Sequence, residues 1–176
     1  MVLALKELID RNGLDFFNDA ISHFSCKDED VELFLREKAV DFERRDKSRT
    51  YLILDDETNT LLGYYTLSLK ALPFGSGVSK SAIKAVDGFS KDIDAVGIIL
   101  IGQFGKDKVS AQDVDGKHLF DICLETVYRA QKIVGGRFVL IECRDLEKVV
   151  SFYTRQGFEA LQYDESDRYL QMVRRL

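Results

Sequence analysis

The second half of the chain constrains the fold most. AVGIILIGQF (residues 95–104) is almost continuously apolar, and RFVLIECRD (137–145) carries a second run of the same kind. Runs without polar alternation mark strands buried on both faces. Between them, GKHLFDICLETVYRAQKIVGG places Leu119, Phe120, Cys123, Val127, Ala130 and Val134 on one helical face and stops at Gly135 and Gly136. Strand, loop, helix and strand in that order make a parallel βαβ unit.

The flanking segments supply the rest of a sheet. TYLILDDETNTLLGYYTLSLKAL reads as an antiparallel hairpin, two β-branched and aromatic runs around a polar break. EALQYDESDRYLQMVRRL reads as two further strands around an acidic turn, and LEKVVSFYTRQGF as a shorter helix with Val149, Val150 and Tyr153 on one face. The first third is helical. Val31, Phe34, Leu35, Ala39 and Phe42 form an apolar stripe behind Ser25 and Asp28, an expected capping pair. PFGSGVSKSAIKAVDGFSKDIDA holds the sole proline and one short helix near Ser81–Val86; it is either a substrate-facing loop or solvated decoration. The expectation is one α/β (α+β) domain over residues 1–176, a mixed central sheet flanked by helices.

Composition narrows the function classes. A net charge of −5 argues against nucleic acid or an acidic membrane as partner, although Lys106, Lys108 and the lysines of 80–91 could make a local basic patch. Cys26, Cys123 and Cys143 are odd in number and lack metal-ligand spacing, so reduced thiols and no metal are expected. No stretch reads as a leader or a membrane span, which makes a cytoplasmic protein the expectation. None of this excludes a homodimer.

Ligands of such units bind beyond the carboxyl ends of the parallel strands, where the next helix presents unpaired amides suited to phosphate. Gly116 opens that helix, followed by Lys117 and His118. Gly116 serves either a ligand's approach or simple turn geometry, and His118 is either a contact or a surface residue. No G-x-G-x-x-G follows a strand, so a nicotinamide enzyme is not expected.

The order of elements, with the ending Phe152, Tyr153, Gly157 and Phe158, resembles the GCN5-related N-acetyltransferases, firmly over Ala95–Phe158 and by element order elsewhere. The resemblance implies acetyl-coenzyme A as co-substrate. It places Phe104, Gly105 and Lys106 on the pantetheine arm, and Asp115, Gly116, Lys117 and His118 around the diphosphate. Tyr153 would protonate the departing thiolate. Asp113 and Asp115 would repel a diphosphate unless they point away or cap the helix.

The chemistry needs a neutral amine, a base and a proton donor at sulfur. A phenol with a reference pKa of ~10 stays protonated at neutral pH yet can donate. Tyr153 is either that acid or a packed tyrosine with a backbone partner. Glu142 is either the base, directly or through water, or a charge reaching solvent at a strand end. Gln103 can position a water or carbonyl. Tyr64 and Tyr65 either line the acceptor site or pack in the sheet. The leading expectation is N-acetylation of a primary amine on a small molecule or protein. The alternatives are a non-catalytic acyl-coenzyme A-binding regulatory module and a toxin-like relative acting on aminoacyl-tRNA.

Overall fold

The two apolar runs lie side by side. In a computed structural model describing residues 1–176, β4 (Ala95–Lys106) runs parallel to β5 (Phe138–Cys143), with Ile99, Leu100 and Ile101 beside Val139, Leu140 and Ile141. Before them come β1 (Val2–Ala4), α1 (Leu5–Asn12), α2 (Leu14–Ile21), α3 (Glu29–Leu33), a π-helical turn (Phe34–Lys38), α4 (Ala39–Arg44), β2 (Arg49–Leu54), β3 (Leu61–Pro73) and α5 (Lys80–Asp87). α6 (Gly116–Val134) joins β4 to β5, and α7 (Glu147–Arg155), β6 (Glu159–Tyr163) and β7 (Leu170–Arg175) complete the chain. The seven strands form one mixed sheet in the order β1-β2-β3-β4-β5-β7-β6. β1 is missing from the sequence reading because three residues carry no periodicity.

Two compact units share the chain: Met1–Ser68 with Gly102–Leu124, and Leu69–Ile101 with Glu125–Leu176. In the first, α1–α4 bury Leu5, Leu8, Phe17, Ile21, Phe24, Leu35 and Ala39 against Leu52 and Tyr64 of the β2–β3 hairpin. Each such aliphatic side chain contributes about 1.5–3 kcal/mol on leaving water. The cap of α3 differs from expectation. Asp28 itself is the N-cap, its carboxylate accepting the Asp30 amide at 3.0 Å.

In the second unit, Leu72, Ile98, Leu140 and Val173 form a core on one sheet face. The alternate residues Val139, Ile141, Cys143 and Met172 fill the other. α6 ends as predicted at Gly135 and Gly136, both with positive φ. Val134, expected on the buried face, is 60% exposed because the last turn outruns the packed stripe. No helix is long and apolar enough to cross a membrane.

Candidate functional site

The end of β4 is built around close backbone approach. A Cβ on Gly63 would lie 2.6 Å from the Gly105 carbonyl oxygen, so β3 and β4 demand glycine there. Gly102 faces Thr66 and Gly105 faces Tyr64, which share one face of β3. The Gly105 carbonyl turns to β3, and the Asp107 amide bonds Leu62 O at 2.9 Å. Strand alternation turns the main chain of Phe104 and Lys106 to the opposite edge. Of the three residues expected on a pantetheine arm, Gly105 directs its carbonyl toward β3. The Phe104 ring meets Phe120 of α6 edge-on at 5.0 Å.

The start of α6 differs from an open phosphate cradle. Asp115 Oδ1 accepts the Lys117 amide at 2.9 Å, and the Lys117 ammonium pairs with Asp121 at 2.6 Å. The chain thus uses its own carboxylate on one helix-opening amide, as N-caps do. Gly116 is half-buried and His118 exposed.

Cationic groups gather beside that turn instead. A cavity of about 350 Å³ is lined by Lys27, Lys106, Asp107, Lys108 and Gln112. Asp107 is 1% exposed, and its carboxylate is consumed by the amides of Ser25, Val109 and Ser110 at 2.6–2.9 Å. Lys106 Nζ donates to the Val114 carbonyl. Three lysines thus line a cavity whose one carboxylate is already committed to backbone donors. Lys106 and Lys108 were legible in the sequence as a local patch. Lys27 was not, because only the folded α2–α3 connection brings it there.

In the second unit, Tyr153 lies in the last turn of α7, half-buried, with its ring edge-on to Phe152 at 5.2 Å and to Phe158 at 5.9 Å. Gly157, at φ 81, turns the chain so that the Phe158 amide returns to Tyr153 O at 3.1 Å. That glycine therefore closes the helix and aims Phe158 at the tyrosine ring. Glu142, near the carboxyl end of β5, accepts Lys70 Nζ at 2.5 Å and Gln171 Nε2 at 2.7 Å. It is an ion-paired carboxylate rather than a charge reaching solvent alone. Gln103 is half-buried.

Tyr64 and Tyr65 are fully buried. The Tyr64 hydroxyl donates to Val31 O, and burial pushes its pKa far above the phenol range. Tyr65 stacks on Tyr51 at 5.1 Å. Both are packed within the sheet.

No family model matches the chain, and no curated protein does. Solved structures do. A Tyr-to-Phe mutant of KacT is 30% identical, over 89% of this chain and 88% of KacT, with a TM-score of 0.68. AtaT complexed with acetyl-methionyl-tRNAfMet is 25% identical, over 86% and 85%, with a TM-score of 0.65. AtaTR bound with acetyl-coenzyme A is 24% identical, over 97% and 91%, with a TM-score of 0.68. The protein is a relative of KacT, and its fold is that of the GCN5-related N-acetyltransferases.

Proposed function

We propose that this relative of KacT is an acetyl-coenzyme A-dependent N-acetyltransferase whose acceptor is the α-amine of an aminoacyl-tRNA. The placement of Tyr153 carries the enzyme reading. A half-buried phenol, flanked edge-on by two rings, follows the strand that pairs in parallel with β4. The parallel register ends at Ile101 and Ile141, while β4 continues to Lys106. Main-chain groups of Phe104 and Lys106 are the ones suited to bond the pantetheine amides as an added strand would.

The fit at the diphosphate is partial. Gly116 and His118 remain at the helix start, but Asp115 brings a negative charge there. Lys106 Nζ, on the Val114 carbonyl beside Asp115, offsets that charge. In the reaction, the neutral amine attacks the thioester carbonyl and loses its proton to water. The C–S bond breaks, and the Tyr153 hydroxyl gives its proton to the sulfur.

A tRNA-linked acceptor runs against the net charge of −5. It is favoured by the likeness to AtaT, which was solved with acetyl-methionyl-tRNA, and by the three-lysine cavity. The test offers labelled acetyl-coenzyme A with tRNA charged with all twenty amino acids and, separately, with free amino acids and spermidine. Label in the acid-precipitable tRNA supports the proposal. Label only in the small amines would move the acceptor class to small molecules, and label in neither would leave a coenzyme-binding module.

A further inference from the structure

A continuous polar chain crosses the sheet of the second unit. Lys70 Nζ and Gln171 Nε2 both donate to Glu142 Oε1, at 2.5 and 2.7 Å. Gln171 Oε1 accepts from Gln162 Nε2 at 2.7 Å. Gln162 also donates to Pro73 O at 2.7 Å and accepts the Gly75 amide at 2.8 Å. The backbone donor at Gly75 fixes which end of Gln162 is its oxygen, and so the direction of every amide in the chain. Gln171 must then present its N–H to Glu142 Oε1.

Packing alone does not explain this arrangement. Gln171 is 2% exposed in a sheet face otherwise built from Leu72, Ile98, Leu140 and Val173. An apolar residue there would complete the core without desolvating an amide. The chain ends at a carboxylate that stays accessible, with side-chain exposures of 21% for Glu142 and 31% for Lys70. Both bonds fall on Oε1, leaving Oε2 open to another donor. Glu142 is the penultimate residue of β5, at the carboxyl end where ligands of parallel strands bind.

We propose that Lys70 is a positioning and specificity residue of the acceptor site: Glu142 Oε2 anchors the acceptor amine, and the ammonium of Lys70 on Oε1 disfavours that amine's protonated form. Gln162 and Gln171 hold the anchor in place. This rests on the acetyltransferase reading above. A like charge beside an amine lowers its pKa, which enlarges the neutral, nucleophilic fraction near pH 7. The amine's proton goes to water. Other ionisable groups of this unit near the strand ends are Arg144, Asp145 and Tyr163, with the Tyr163 hydroxyl on Asp145 at 2.5 Å, and the Lys80–Asp92 pair at 2.6 Å. They are the same in every variant below, so a shift reports Lys70.

The test is the pH profile of kcat from pH 6 to 8, at saturating acetyl-coenzyme A and saturating tRNA charged with twenty amino acids, because kcat reports ionisations in the bound complex where Lys70 acts. In the wild type the acid limb reports the acceptor amine. K70M is expected to move that limb up by about one unit, a roughly tenfold loss at pH 6.5 that shrinks toward pH 8. K70R is expected to leave the limb in place. E142Q is expected to raise the acceptor KM roughly tenfold at unchanged acetyl-coenzyme A affinity. An active wild type whose acid limb is the same in K70M, or whose acceptor KM is the same in E142Q, overturns this inference alone. A wild type that transfers no acetyl group overturns the enzyme reading and this inference with it.

Discussion

Asp115 Oδ1 accepts the backbone N–H of Lys117 at 2.9 Å, so the turn that opens α6 is closed by the chain's own carboxylate. The contact sets two effects against each other. The cap stabilises the helix, yet its charge opposes a diphosphate at the same amides. D115A is expected to cost about 0.5–2 kcal/mol of stability and to tighten acetyl-coenzyme A binding. Thermal unfolding and calorimetric titration read the two separately. A variant that is less stable and binds no better would place the diphosphate away from this turn.

The lysine cavity makes a prediction about salt. If Lys27 and Lys108 meet phosphates, the double alanine variant should bind charged tRNA more weakly, and its affinity should fall less steeply with KCl. Two contacts correspond to a change of roughly 1.4–1.8 in the slope of log K against log salt. Filter binding between 50 and 300 mM KCl measures it. An unchanged slope would remove the cavity from the RNA contact.

Gly105 is tightly packed near the site. A Cβ there would meet Val31 Cγ1 at 2.9 Å and Tyr64 Cε1 at 3.0 Å. Gly105→Ala should therefore destabilise by about 1–3 kcal/mol through overpacking, read as a lowered urea midpoint. Gly63→Ala, which meets a backbone oxygen that cannot rotate away, should cost more.

The unequal legibility of fold and site has a physical cause. β4, α6 and β5 announce themselves because each repeats one signal over many residues, as do Leu119, Phe120, Cys123 and Val127, all buried. The π-helical turn at Phe34–Lys38 inserts one residue, and a single insertion leaves no period to read. The site depends on such local events. Nothing in VDGK shows that Asp115 bonds Lys117 rather than pointing to solvent. Lys70, Glu142, Gln162 and Gln171 sit on separate strands, and their spacing carries no sign that they form one chain.

Asp164 predicts a pH response in the β6–β7 turn. Its carboxylate accepts the Ser166 hydroxyl at 2.5 Å and the Tyr169 and Arg168 amides at 2.8 Å, and these bonds, the hydroxyl first, hold its pKa down to about 2. A depressed acid supports the fold above its unfolded value of ~3.9, and that support is lost as pH falls through about 2. The Tyr169 amide should stay protected from hydrogen exchange at pH 5 and lose protection toward pH 2. D164A should lack that protection at pH 5.

The central claim is that the Tyr153 phenol donates a proton to the departing thiolate, and Tyr153→Phe tests it most directly. The substitution keeps the ring and its contacts with Phe152 and Phe158. Acetyl-coenzyme A should bind Y153F with an unchanged Kd, while single-turnover transfer to charged tRNA slows by about 10²–10⁴-fold. Wild-type and Y153F transferring the acetyl group at equal rates would contradict the account.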